Sequence, residues 1–193
     1  MHDRENETYS LRRAGGHGLS FGTNNSRDYL WSSMARDMND VADISGIRHF
    51  IAGGQSMGSM TALNAAVMFP ERIKALVLVT PSTIWETRAV QAVLYNAAAG
   101  IIKEKGLNRF VEMMRQRPLL PQWLLAAKPS DNEKYLRNIM EMNEKILPDI
   151  LRGSALSDLP QRSNFKAPLI PTLILAWKDD PIHPLQSADI LHK

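Results

Sequence analysis

Apolar positions along the chain fall into two kinds of pattern. Continuous apolar runs, such as the one at 75–80, are typical of strands buried on both faces of a parallel sheet. Elsewhere apolar residues recur every three or four positions, which indicates amphipathic helices. Alternation of the two patterns predicts an α/β fold with a mostly parallel sheet flanked by helices. The predicted strands cover 8–13, 49–53, 75–80 and 172–177, and the predicted helices outside the central segment cover 29–44 and 57–69.

The central segment, 84–166, has helical spacing throughout and no good strand. A purely helical insertion between two strands is typical of a cap that covers a site at the sheet edge. We therefore expect a core part at 1–83, a helical cap at 84–166, and a final part at 167–193 with a strand, a loop and a helix. The helices predicted inside the cap cover 89–105, 107–117, 122–127, 131–147 and 148–156.

A strand-to-helix junction carries the sequence Gly54-Gln55-Ser56-Met57-Gly58. A G-x-S-x-G pattern in this context predicts a nucleophile elbow, a strained turn that exposes the serine hydroxyl. The two glycines are expected to let the helix backbone pass close to the strand and to relieve the cost of an unusual serine conformation. The alternative is an ordinary tight turn in which Ser56 begins the helix. The order of strand, turn and small-residue helix favours the nucleophile.

A serine nucleophile needs a base to take its proton and an acid to orient that base. Asp179 and Asp180 follow the strand predicted at 172–177. Because parallel strands end at one edge of a sheet, this pair is expected near Ser56. A solvated loop is the alternative interpretation of two adjacent aspartates.

Composition and charge narrow the functional classes. The 193 residues are 44% hydrophobic and 22% charged, which is ordinary for one globular domain. The net charge of +3 comes from scattered residues and does not favour nucleic acid. The chain contains no cysteine, so disulfides and thiolate ligands are excluded, and a reducing cytoplasm is the expected location. We expect no cofactor, no metal and no membrane segment.

Four segments resemble the α/β-hydrolase superfamily, with the capped esterase and enol-lactonase-like branch as the nearest match. They occur in the family's order and span most of the chain. The segments are Gly54-Gln55-Ser56-Met57-Gly58, Gly15-Gly16-His17-Gly18-Leu19-Ser20, Phe69-Pro70-Glu71-Arg72, and the loop from Trp177 through Asp179-Asp180 to Pro184. The resemblance implies that Ser56 is the nucleophile, that the Met57 backbone N–H is one oxyanion donor, and that Asp180 rather than Asp179 is the acid.

The family places its histidine after one further strand beyond the acid, and this sequence has no histidine at such a position. The family also has strands ahead of the glycine-rich loop. We therefore expect a partial sheet, truncated at both ends, with the triad histidine outside this chain. His183 and His17 are weak substitute bases, each expected to be an ordinary hydrogen-bonded loop side chain. A homo-oligomer that completes the sheet is one alternative.

These observations predict a serine hydrolase of carboxylic esters or lactones that works through an acyl-enzyme on Ser56. Its partner is expected to be a small ester or lactone substrate. The alternative is a catalytically incomplete binding protein or truncated product. Nucleotide binding at Gly15–Gly18 is disfavoured because the G-x-G-x-x-G spacing is absent.

Overall fold

The sheet formed by the described residues is parallel and contains three strands. The computed structural model describes residues 16–18, 20–164 and 169–192, so the strand predicted at 8–13 lies outside the described residues. The strands β1 (Phe50–Gln55), β2 (Ile73–Val79) and β3 (Thr172–Leu175) lie in the order β1-β2-β3. This arrangement confirms the predicted α/β fold with a partial parallel sheet.

The register of the sheet brings the ends of the strands together. Gln55 pairs with Val79, and Val79 pairs with Leu175. The carboxyl ends of all three strands therefore finish at one edge, and the loops that follow them are neighbours.

Eight helices accompany the sheet in the described residues. Five of them, α3 to α7, come between β2 and β3, and together they are called the helical insertion below. The helices are α1 (Trp31–Ile44), α2 (Met57–Met68), α3 (Arg88–Lys105), α4 (Leu107–Gln116), α5 (Gln122–Ala127), α6 (Ser130–Met140), α7 (Leu147–Leu156) and α8 (Leu185–His192), with 3-10 turns at Ser26–Tyr29, Trp85–Thr87 and Arg162–Asn164. In the part of the chain that the structure describes, no helix is both long enough and apolar enough to cross a membrane.

Within the described residues, one face of the sheet is covered and the other is largely exposed. Helices α1 and α2 pack against the covered face, where strand residues such as Ala52, Leu76 and Leu78 are buried. Residues of the opposite face are exposed: Ile51 by 66%, Leu173 by 53% and Leu175 by 43% of their surface. The buried side chains of the described strands therefore lie mainly on one side of the sheet.

The helical insertion has a hydrophobic core of its own. Helix α3 packs mainly on α7, and α4 packs on α3 and α6. The buried side chains between them are Ile102, Leu107, Val111, Met114, Leu136 and Leu147. Because its apolar side chains cover one another, the insertion is folded around its own centre and extends from the sheet edge.

The helix predicted at 131–147 was wrong in its second half, because α6 ends at Met140. The chain turns after this point, and the Asn143 carbonyl accepts hydrogen bonds from the N–H groups of Ile146 and Leu147. The turn lets the Glu144 carboxylate accept the Leu107 N–H at 2.7 Å, at the start of α4. Capping of an unsatisfied helix N–H thus replaces continuation of α6.

Candidate active site

Ser56 occupies a sharp turn between β1 and α2. Its backbone has φ 54° and ψ −115°, a conformation that non-glycine residues rarely adopt. The Ser56 N–H donates to the Val79 carbonyl at 2.9 Å, which ties the turn to β2. The strained backbone therefore belongs to a turn held by the sheet, and it is the geometry expected of a nucleophile elbow.

The two glycines of the motif have different roles. A Cβ built on Gly54 would lie 2.5 Å from the carbonyl carbon of Gly58, so only glycine fits there. A Cβ built on Gly58 would meet no heavy atom of the described residues within 4 Å. The close approach expected for both glycines therefore constrains Gly54 alone.

Met57 is the first residue of α2. The first N–H groups of a helix have no intrahelical acceptor and lie at the positive end of its dipole. The Met57 N–H is thus adjacent to the Ser56 hydroxyl at a helix end that favours negative charge. Its assignment as an oxyanion donor stays a prediction.

The loop after β3 wraps around the Asp180 carboxylate. Asp180 Oδ1 accepts the N–H groups of Ile182 and His183, both at 2.9 Å. Asp180 Oδ2 lies 3.1 Å from His183 Nδ1. Because the same carboxylate binds the backbone and the ring, the acid and the imidazole are held as one unit.

His183 also contacts the elbow. Its Nε2 lies 2.8 Å from Ser56 Oγ. Since a carboxylate only accepts hydrogen bonds, His183 Nδ1 carries the proton toward Asp180, and Nε2 of the neutral ring is left to accept the Ser56 hydroxyl. The structure thus brings Ser56, His183 and Asp180 together in one hydrogen-bonded line.

This arrangement differs from what the sequence predicted for His183. From the sequence, the triad histidine was expected to lie outside this chain. His183 was expected to be an ordinary hydrogen-bonded loop side chain. The two N–H bonds to Asp180 Oδ1 fold the loop back and direct the ring toward Ser56. The Asp-x-x-His spacing ahead of a proline is the only sequence signal of this turn.

The site is largely shielded from water. The side chains of His183 and Asp180 are 13% and 6% exposed. Burial raises the pKa of Asp180, but hydrogen bonds from the His183 ring and from the N–H groups of Ile182 and His183 outweigh it and hold this pKa below its usual value. Asp180 is therefore a carboxylate at neutral pH and can stabilise a positive charge on the ring.

The other predicted candidates lie elsewhere in the loops. Asp179 is exposed and has φ 61°, a left-handed conformation that aspartate tolerates. His17 is half-buried in a turn where its carbonyl accepts the Ser20 N–H at 3.1 Å. These positions favour neither residue over Asp180 or His183.

The helical insertion reaches the loop that carries the acid. Trp123 of α5 donates from Nε1 to the Lys178 carbonyl at 3.3 Å. Its ring meets that of Trp177 edge to face, with centroids 6.4 Å apart. Burial raises the pKa of Tyr135 of α6, and the charges of Tyr95 and Asp180 add to this effect. These contacts could not be predicted from the sequence, because no motif marks them.

A family profile described as alpha/beta hydrolase fold matches residues 14–193. The chain therefore belongs to the alpha/beta hydrolase fold family, which confirms the resemblance seen in its motifs. The fold is also shared with a thermophilic esterase from Thermogutta terrifontis, with a TM-score of 0.76, 21% identity and coverage of 91% of this chain and 63% of that one.

Two named relatives are similar in sequence. The first, from Cronobacter sakazakii, bears the name carbamate hydrolase RutD as a provisional assignment and is 23% identical over 169 residues, which is 86% of this chain. The second is 3-oxoadipate enol-lactonase 2 of Acinetobacter baylyi, 27% identical over 139 residues, which is 67% of this chain. The chain spans 60% of the length of the first relative and 46% of the second.

Proposed function

We propose that the protein is a serine hydrolase of carboxylic esters or lactones, with Ser56 as nucleophile, His183 as general base and Asp180 as the acid that orients it. The observation that carries this proposal is the 2.8 Å contact between His183 Nε2 and Ser56 Oγ. It is supported by the 3.1 Å contact between the same ring and Asp180 behind it. A nucleophile, a base and an orienting carboxylate in this order are the parts that acyl transfer needs.

The proposed reaction has two halves. Ser56 Oγ attacks the substrate carbonyl carbon while His183 Nε2 takes the hydroxyl proton, and Asp180 stabilises the resulting imidazolium. The Met57 N–H donates to the oxyanion. The tetrahedral intermediate then expels the alkoxide, which takes the proton from His183 and leaves Ser56 acylated. Water, deprotonated by His183, attacks the acyl group and frees the serine as the carboxylic acid is released.

The substrate class rests on the chemistry shared by the relatives' names. A lactone, a carboxylic ester and a carbamate all present an acyl carbonyl with a leaving group. The ester and lactone are preferred because an enol-lactonase and an esterase occur among the relatives and similar folds. We also propose that 84–166 is a cap over this site, between core parts at 1–83 and 167–193, because α5 contacts the acid loop.

The test is labelling with a fluorophosphonate, which forms a covalent bond only with an activated serine. The parent chain is compared with Ser56→Ala and His183→Gln, and with His192→Gln, an exposed histidine on α8, as the matched control. Circular dichroism establishes that each variant is folded. Labelling should vanish in Ser56→Ala, fall by about 100-fold or more in His183→Gln, and be unchanged in His192→Gln.

Two results would contradict parts of the proposal. A folded parent chain that does not label would support the alternative of a catalytically incomplete binding protein. Undiminished labelling of His183→Gln would mean that another group activates Ser56. Hydrolysis of p-nitrophenyl acetate and of a simple lactone by a parent that does label then separates the two substrate classes.

A further inference from the structure

A buried guanidinium lies at the start of the helical insertion. Arg88, at the start of α3, is 5% exposed. It donates to the carbonyls of Ser154 and Ser157 on α7 and its end, and to the hydroxyls of Ser82 and Thr83 in the loop after β2. A buried cation with this many acceptors fixes the positions of the groups around it.

Hydrogen bonds continue from this cation toward the acid loop. Arg88 Nη1 lies 3.1 Å from Thr83 Oγ1, and Thr83 Oγ1 lies 2.6 Å from Gln91 Oε1. Gln91 Nε2 lies 3.2 Å from the carbonyl of Ile182. Gln91 is 6% exposed, so its amide is bonded within the protein rather than to bulk water.

The chemistry of the groups gives this chain of bonds one direction. The Ile182 carbonyl can only accept, so Gln91 Nε2 faces it and Gln91 Oε1 faces Thr83. The Thr83 hydroxyl therefore donates to Oε1, and its oxygen accepts from Arg88, which can only donate. The Gln91 amide is thus bonded at both ends, and Arg88 fixes the position of its partner Thr83.

Ile182 lies inside the acid loop. Its N–H is bonded to Asp180 Oδ1, and the next residue is His183. Its carbonyl belongs to the peptide unit that includes the His183 N–H. A hydrogen bond to that carbonyl therefore restricts rotation of the peptide unit directly before the Cα that carries the imidazole.

We propose that Gln91 of α3 is a positioning residue for His183 and is itself held by Thr83, which Arg88 fixes in place. The inference rests on the proposed function, because it assigns Gln91 to the geometry of the same base. It gives the helical insertion a part in activity besides covering the site. Gln91 itself touches neither Ser56 nor a substrate in this assignment.

Two substitutions at Gln91 test the hydrogen bond to the Ile182 carbonyl separately from the size of the side chain. Gln91→Leu removes both bonds at nearly the same volume. Gln91→Glu keeps the acceptor for Thr83 but turns an oxygen toward the Ile182 carbonyl, and it retains a shape that fits beside the buried cation. Gln116→Leu, at an exposed glutamine of the neighbouring α4, is the matched control.

The first readout is the rate of fluorophosphonate labelling. Both Gln91 variants should label about 10- to 100-fold more slowly than the parent, as expected when a base is displaced by about 1 Å. With an ester substrate, kcat should fall while KM changes little. Gln116→Leu should match the parent, and urea unfolding should show that the Gln91 variants are folded where they are assayed.

The second readout is the nitrogen spectrum of the His183 ring, assigned by its absence in His183→Gln. In the parent the ring should be a single neutral tautomer with the proton on Nδ1, and in the Gln91 variants it should be a mixture of tautomers. Unchanged labelling and an unchanged ring spectrum in both variants would overturn the inference. If the parent does not label at all, the proposed function fails, and the ring spectrum alone decides the role of Gln91.

Discussion

Replacement of Asp180 by asparagine gives the sharpest test of the site, because the amide has one acceptor where the carboxylate has two. Asp180 Oδ1 accepts two backbone N–H groups, and Oδ2 faces the ring of His183. The asparagine oxygen can serve only one of these sides. If it serves the two N–H groups, the NH₂ group faces His183 Nδ1, which must then accept, and Nε2 carries the proton toward Ser56. A ring in that tautomer cannot take the Ser56 proton.

The size of the loss in rate follows from the other orientation of the asparagine amide. If the asparagine oxygen faces His183 Nδ1, the tautomer is the active one, but the N–H groups of Ile182 and His183 lose their acceptor. Each buried unsatisfied donor costs about 1–3 kcal/mol, so the active arrangement lies about 2–6 kcal/mol above the inactive one. At about 1.36 kcal/mol for each factor of ten, the rate should fall between about 30-fold and about 25,000-fold.

The assay compares Asp180→Asn with Asp179→Asn in fluorophosphonate labelling and in hydrolysis of p-nitrophenyl acetate. Asp179 is exposed with φ 61°, and asparagine is well tolerated in that conformation, so its variant should keep its rate within about twofold. Equal losses in the two variants would refute the assignment of the acid. Full activity of Asp180→Asn would refute the argument from tautomers.

Three further predictions concern stability. Gly54→Ala should lower the free energy of unfolding by about 2–3 kcal/mol or more, because its Cβ meets the Gly58 backbone, whereas Gly58→Ala should be neutral or stabilising; equal effects in urea unfolding would contradict this. Ser56→Gly should be more stable than Ser56→Ala by about 1 kcal/mol, since glycine relieves the backbone strain. A more stable alanine variant would contradict the presence of that strain. The pKa of Asp180 is lowered in the folded state, so the ionised carboxylate stabilises the fold above about pH 4 and this effect is lost as the pH falls through the folded pKa. The thermal midpoint of the parent should therefore drop more steeply below about pH 4 than that of Asp180→Asn.

The fold could be predicted from the sequence wherever local pattern and tertiary environment agree. The apolar run at 75–80 predicted a strand, and β2 was found at Ile73–Val79. Burial on both faces was expected for this strand, but only the face of Leu76 and Leu78 is buried, while Val77 and Val79 of the other face are half-buried. The end of α6 could not be predicted, because it depends on Glu144 reaching the distant start of α4. Such a long-range cap leaves no trace in helical periodicity.

The candidate site also has parts that could be predicted from the sequence and parts that could not. Ser56 could be singled out because a motif marks its position. The ends of parallel strands marked the pair Asp179 and Asp180, and the family resemblance selected Asp180 from it. The place of His183 could not, because it depends on how one loop curls around a carboxylate. The bonds made by Arg88, Thr83 and Gln91 leave no sequence signal either, since polar residues on a helix next to a loop are common.

The edge-to-face contact of Trp123 with Trp177 also gives the chain an optical property. One indole comes from the helical insertion and the other follows β3, so their packing exists only while the insertion rests on the loop after that strand. Indole emission moves to longer wavelength when the ring enters water. Movement of the insertion away from the sheet edge would therefore change the intrinsic fluorescence with no label attached. Of the four tryptophans, Trp31 is buried, and Arg88 of α3 lies over its ring, 4.6 Å from the centroid, so its emission would report the same movement.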